Sequence, residues 1–283
     1  MVALNYENLI LSLPLWKNPK ISKLQRGMTN INYLVEVGKK RYVARFALSS
    51  NKHLGLDRER EIYNTKIAAS ERIGPLVIAH YPEYNLLIVE YLPGKTLSLN
   101  SARKKENIAS IAKLLKKMHS GKKFKGENNI FNSIRVDISK VKERNSWLPE
   151  DLQLLLKRLK LIESKVKFQI NAPCHLDLMM ENIVTYKQSL KLLDWEYSAN
   201  SDYLYDLAML SVKAAFDREQ DHFLLECYGK PKMYEQLKAM KTVVYFKEAS
   251  WGLLQLAVSS IPIDYKRYAE ENLQEFRLSS VKA

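Results

Sequence analysis

Two cysteines in 283 residues, neither in a CxxC pair, exclude a disulfide scaffold and a cysteine-based zinc site. Two thiols in a chain of this size fit a reducing compartment. Cys174 reads as a small buried residue rather than a reactive thiol. Long apolar runs are also missing. No stretch approaches the ~18 apolar residues of a membrane helix. The opening MVALNYENLILSLPLWKNPK lacks the basic start and apolar run of a signal peptide. The expectation is a soluble, cytoplasmic protein without integral membrane contact. Glycine and proline number nine each, so nothing points to disorder or low complexity. Nor is there a helix-turn-helix signature, an RNA-recognition motif, or clustered arginine interleaved with aromatics, so nucleic acid is not an expected partner.

Acidic residues are outnumbered, 31 to 45 basic, for a net charge of +14. The lysines are spread out (Lys104, Lys105, Lys113, Lys116, Lys117, Lys122, Lys123, Lys125) and read as a solvated basic face. The length and the 46% hydrophobic content allow a well-buried core in one or two domains.

Residues 32–37 and 41–47 alternate around the turn Gly38-Lys39-Lys40, which predicts a β-hairpin. Residues 55–72 read as a helix with Ile62, Lys66, Ile67 and Ala69 on one face, ended by Gly74-Pro75. Residues 76–80 and 86–91 read as two more strands. Helical patterns then cover 101–119, with Ile108, Ile111, Ala112, Leu115 and Met118 as a stripe, and 150–166. Short extended pieces occupy 173–196, and helix resumes from Asp206. The predicted fold is α+β: a small antiparallel sheet lobe with one helix, then a larger, mostly helical lobe. The boundary falls between 1–92 and 93–283. Glu90-Tyr91-Leu92-Pro93-Gly94 joins the two lobes.

The sharpest motif is His175-Leu176-Asp177-Leu178-Met179-Met180-Glu181-Asn182, then Leu192-Leu193-Asp194-Trp195-Glu196. It reads HxDxxxxN followed by an apolar strand ending in Asp. Phosphoryl transfer asks a protein for positioning and charge neutralisation more than for covalent chemistry. One carboxylate must take or orient the hydroxyl proton, and oxygen ligands must hold Mg²⁺ on the phosphates. Asp177 is therefore the candidate base, and Asn182 and Asp194 are the candidate metal ligands. Arg45, on the second hairpin strand, can reach the phosphates. Glu61 on the next helix can either fix its direction or make only a weak surface pair. Gly27, Thr29 and Asn30, just before the first hairpin strand, are candidates for a phosphate cover.

These segments resemble the choline/ethanolamine kinase family, within the aminoglycoside-phosphotransferase-like and protein-kinase-like enzymes, over about residues 21–277. Gly27-Met28-Thr29-Asn30 looks like the family's G-x-T-N loop. Leu193-Asp194-Trp195-Glu196-Tyr197 with Tyr205-Asp206-Leu207-Ala208 is similar to its D-[WF]-E-Y…D-[IL]-[AG] stretch. Ser250-Trp251-Gly252-Leu253 with Tyr265-Lys266-Arg267-Tyr268-Ala269 is similar to its W-G-L…Y-x-x-Y-A segment. The resemblance implies a two-lobed kinase fold, ATP and Mg²⁺ as cofactors, and transfer to the hydroxyl of choline or ethanolamine. It also implies that 1–92 is the ATP-binding lobe, with Glu90 and Leu92 on the nucleotide side, and that 93–283 is the catalytic and substrate-binding lobe, with an acceptor site of Asp177, Glu196, Trp251 and Tyr265. A quaternary ammonium, unable to donate hydrogen bonds, is held over aromatic faces near a carboxylate. Trp251 and Tyr265 fit that role, and equally fit a helix core. His175 and Asp206 are implied supports of the catalytic loop. The chain departs from the family at Leu254, where a second Trp is common, and at Leu176, Met179 and Met180.

Thiamine and aminoglycosides are alternative acceptors on the same fold, though the lysines of the second lobe suit a polycation poorly. About eleven residues between Asp194 and Asp206 leave little platform for a peptide, against a protein kinase. A basic nucleic-acid or membrane-surface binder would explain the charge and little else. The partners expected are an amino alcohol and ATP, with a homodimer left open.

Overall fold

A computed structural model describes residues 5–24, 30–48, 54–259 and 261–279. The first lobe is a five-stranded antiparallel sheet of β1 (Lys20–Lys23), β2 (Asn30–Val37), β3 (Lys40–Ala47), β4 (Val77–Tyr81) and β5 (Leu86–Glu90). Its spatial order is β1-β2-β3-β5-β4. The predicted hairpin is β2–β3, in register from Asn30 opposite Ala47 to Val37 opposite Lys40. Gly38, at φ 58°, supplies the left-handed turn that a side chain would resist.

Period-two alternation gives the sheet two apolar faces. On one, Tyr33, Val35, Ala44, Phe46, Leu86 and Ile88 pack against a short helix, α1 (Tyr6–Ser12), and Trp16. Neither α1 nor β1 was legible as a separate element. On the other face, Leu87 and Val89 meet Ile62 of α2 (Arg58–Ser70). Asp57 caps α2 by accepting from the Arg60 amide.

The buried stripe of α2 differs from the predicted one. It consists of Glu61, Ile62, Asn64, Thr65 and Ala68, while Lys66 is exposed. The helix buries polar groups because it borders the cleft and reaches the second lobe. Asn64 accepts from the Lys125 amide at 2.8 Å and donates to the Ser198 carbonyl at 2.9 Å. Ala68 and Ile73 belong to the core of the large lobe, not to that of the sheet.

The second lobe carries α3 (Leu99–Ala102), α4 (Lys105–His119), α5 (Ile130–Glu143), α6 (Leu152–Val166), α7 (Tyr203–Lys213), α8 (Arg218–Tyr228), α9 (Tyr234–Val258) and α10 (Tyr265–Leu278). The apolar stripe predicted on α4 is fully buried, and the eight basic-face lysines are exposed. Between α6 and α7 lie two small sheets: β6 (Ala172–Cys174) with β9 (Ala199–Ser201), and the hairpin β7 (Ile183–Tyr186) with β8 (Ser189–Leu192). Cys174 is buried, which pushes its thiol pKa well up and suits the inert role expected. Among the described residues no helix is long and apolar enough to cross a membrane.

The linker between the lobes is strapped to β7. The Thr185 amide donates to the Lys95 carbonyl at 2.9 Å, and the Leu97 amide to the Ile183 carbonyl at 2.9 Å. A Cβ on Gly94 would stand 1.6 Å from the Thr185 carbonyl oxygen. Backbone cannot yield as a flexible side chain can. Gly94→Ala should therefore cost about 2–3 kcal/mol as overpacking, on the order of 3–5 °C in Tm for a chain this size. Thermal melting of the variant checks it; an unchanged Tm would mean the linker detaches freely from β7.

Candidate active site

The motif residues converge at the mouth between the lobes. The loop after β6 carries His175 to Asp177, and a single helical turn, Met180–Asn182, brings Asn182 back to it. The Asn182 side-chain amide donates to the Asp177 carbonyl at 3.0 Å and to its carboxylate at 3.1 Å. The β7–β8 hairpin returns the chain so that the Leu193 amide donates to the Asn182 carbonyl at 2.8 Å. Asp194 follows at φ 63°, a left-handed conformation that Asp tolerates better than most residues.

Leu176 is also left-handed, at φ 66°, which for a leucine is unfavourable. Asp206, fully buried in the first turn of α7, holds it there. The amides of His175 and Leu176 each donate to its carboxylate at 2.8 Å, and His119 Nε2 approaches it at 3.1 Å. Burial lowers the His175 pKa, so its ring is neutral. Nδ1 accepts from the Asp177 amide at 3.3 Å, which puts the ring proton on Nε2, 2.8 Å from the Leu193 carbonyl. His175 thus ties the Asp177 loop to the segment carrying Asp194.

From the sheet lobe, Arg45 places its guanidinium 2.6 Å from Asp194 and 3.5 Å from Glu61. Arg58, unremarkable in the sequence, bonds Glu61 at 2.6 Å and Glu196 at 3.1 Å. Asn30 donates to Glu196 at 3.0 Å. Gly27 and Thr29 lie outside the described residues. Glu90 ends β5, where its carboxylate accepts from the Leu76 amide at 3.4 Å, and Leu92 is buried in the linker. These two stand on the linker rather than among the carboxylates.

Burial of several carboxylates close together sets the electrostatics of the cleft. Burial raises the Asp177 pKa well above the usual carboxylate range, helped by the charges of Asp194, Glu248 and Glu196 and opposed by Lys213. Burial likewise lifts Glu196 to about 7, with Asp194 and Glu61 adding to the shift and Arg45 and Arg58 resisting it. Oxygens of Glu61, Asp194 and Glu196 lie within 4.8 Å of one another. The donors are all hard oxygens, and both Nδ2 contacts of Asn182 go to Asp177, which leaves its amide oxygen for a cation. Asp194 keeps the carboxylate oxygen that Arg45 does not hold. This donor set fits Mg²⁺.

Beyond Asp177 the wall is aromatic. Trp251 Nε1 donates to the Tyr197 hydroxyl at 3.1 Å, joining α9 to the segment after Asp194. Trp251 meets Tyr265 and Tyr268 edge-on, at 5.9 and 5.8 Å between centroids. Tyr265 is only 3% exposed and accepts from Ser259 Oγ. Tyr268, one turn later on α10, bonds Glu248. Tyr268 lay within the quoted Y-x-x-Y segment, and Glu248 lies three residues before Trp251 on α9; helical spacing could have found both. Leu254, where a second Trp is common, is core.

A small β lobe over a helical lobe, with a loop Asp, an Asn and a hairpin Asp meeting an Arg–Glu pair, defines a kinase-like protein. The family model for choline/ethanolamine kinase matches residues 21–230. The chain belongs to that family. It is 27% identical over 206 residues to the protein LicA of Haemophilus influenzae, across 71% of this chain and 60% of that one. A probable choline kinase 2 of Arabidopsis thaliana is 23% identical over 98% of this chain and 89% of its own length. The structure of choline kinase LicA from Streptococcus pneumoniae superposes with a TM-score of 0.82 at 24% identity, covering 96% of this chain and 97% of that one. At that identity the likeness carries the fold.

Proposed function

We propose that the protein transfers the γ-phosphoryl group of Mg·ATP to the hydroxyl of a small amino alcohol, with choline or ethanolamine as acceptor. The observation that carries this is the meeting at Asp177 of two kinds of surface. On one side stand Asn182, Asp194 and the Arg45–Glu61 pair. On the other stand Trp251, Tyr268 and the Glu248 carboxylate. The first suits phosphates and metal; the second suits an organic ammonium.

In this reading Asp177 accepts the acceptor's hydroxyl proton as the oxygen attacks. Its high pKa in the free protein makes it a competent base once cations enter the cleft. Asn182 and Asp194 would hold Mg²⁺, which would supply charge neutralisation at the phosphates. Arg45, kept in place by Glu61, would face the nucleotide phosphates together with Asn30, and Gly27 and Thr29 belong to the phosphate cover by their sequence motif alone. Glu90 and Leu92 flank the nucleotide base. His175 and Asp206 fix the loop that aims Asp177, Tyr265 backs the acceptor wall, and Glu196, an acceptor-site residue by the family resemblance, is held by Arg58 and Asn30 beside Asp194. The family relatives named as choline kinases support this acceptor class.

The test is ADP release from Mg·ATP against choline, ethanolamine, thiamine and kanamycin. Turnover with choline or ethanolamine is expected. Turnover with thiamine or kanamycin alone would keep the transfer chemistry and discard the amino-alcohol assignment.

A further inference from the structure

The aromatic wall beside Asp177 already holds an ammonium, and it belongs to the chain. Lys213, the last residue of α7, is 14% exposed, as is Glu248 of α9, and the two are hydrogen-bonded. The Lys213 ammonium also stands 3.4 Å from the Tyr268 hydroxyl and 5.9 Å from the centre of the Tyr268 ring. The Tyr268 hydroxyl itself donates to Glu248. A carboxylate, a phenol oxygen and an aromatic face are the set that recognises an organic cation.

This cluster adjoins the reaction centre. The charges of Glu248 and Lys213 both act on the Asp177 carboxyl, in opposite senses, and Asp177 in turn acts on Tyr268. Lys213 ends its helix on a four-carbon stem, with Ala214 as the cap, so its head can leave the pocket without unwinding α7. Lys213 and an incoming ammonium would compete for the same carboxylate and the same aromatic face, and like charges packed together there repel.

We propose that Lys213 is the resident occupant of the acceptor's cation site, that an incoming ammonium displaces it, and that Glu248 then serves as the acceptor's counter-ion. Lys213 and Glu248 are thereby specificity-determining residues. The displacement lowers apparent affinity for every cationic acceptor and screens out weak cations. The idea rests on the amino-alcohol reading for its substrate, but its test needs no turnover.

Tetramethylammonium chloride is titrated into the full-length protein at constant ionic strength, followed by tryptophan fluorescence and calorimetry. Lys213→Met, which keeps the stem and removes the charge, is expected to bind about tenfold or more tighter than wild type, since no cation must leave. Glu248→Gln in that background should reverse the gain. Equal binding by Lys213→Met and wild type, or a double variant that keeps the gain, overturns the proposal. Should Lys213→Met not fold, Lys213→Arg decides. Its bidentate fork holds Glu248 more firmly and should weaken binding several-fold, and unchanged binding again overturns the idea. A wild-type protein that turns over no amino alcohol defeats the proposed function, while these titrations still judge Lys213. If choline is turned over and Lys213→Met leaves its KM unchanged, only the present inference fails.

Discussion

Asp177→Asn should reduce turnover by about a thousandfold or more, the range expected on losing a general base, while Mg·ATP still binds. The variant should melt no lower than wild type. Asn keeps an oxygen to accept from Asn182, now 3.1 Å away, and removes a buried charge that faces Asp194, Glu248 and Glu196. The sign follows from linkage. A carboxyl whose folded pKa is raised favours the folded state only while protonated, so its contribution fades as pH rises above the unfolded value, near 4 for Asp. The Tm advantage of Asp177→Asn should therefore be larger at pH 8 than at pH 5. Melting at both pH values, beside the ADP assay, checks the pair of claims. A variant that is inactive but melts several degrees lower would mean the fold, not the base, had been lost.

Asp206→Ala is the expected worst case for the fold. It leaves the buried amides of His175 and Leu176 without an acceptor and strips His119 of its contact. At about 1–3 kcal/mol for each of these groups, the loss is roughly 3–9 kcal/mol. It also frees Leu176 from a conformation that costs about 1–2 kcal/mol to hold. The loop carrying Asp177 would relax, so activity should fall with stability. Asp206→Asn retains one acceptor oxygen and should lie between wild type and Ala in both. Chemical denaturation of the three proteins gives the order, and an Ala variant as stable as wild type would remove Asp206 from its bracing role.

The legible parts of the sequence were those where chemistry is local in the chain. The HxDxxxxN run and the Asp on the following strand are close enough in sequence that one loop and one hairpin fix their geometry. Asp177 and Asn182 duly touch. The β2–β3 hairpin and the α4 stripe followed from periodicity alone. What escaped lay in long-range pairings. Arg58 stands among Arg58-Glu59-Arg60-Glu61, where charge alternates and nothing in sequence says which arginine turns inward. Its partner Glu196 is 138 residues away. The buried face of α2 was misread because its buried side is polar, opposite to the rule that apolar spacing marks the core. The Lys213–Glu248–Tyr268 cluster joins three helices, and no one of them announces it.

That polar face of α2 has a mechanical meaning. Asn64 anchors the helix to Ser198 and Lys125, the Ile73 carbonyl accepts from the Leu192 amide at 2.8 Å, and Ala68 sits in the large core. Helix α2 is therefore bolted to the hairpin bearing Asp194, although in sequence it lies between two strands of the sheet. Glu61 rides with the large body and Arg45 with the sheet. Arg45 is therefore a clasp between the two bodies, 3.5 Å from Glu61 and 2.6 Å from Asp194, both of which are carried on the large side.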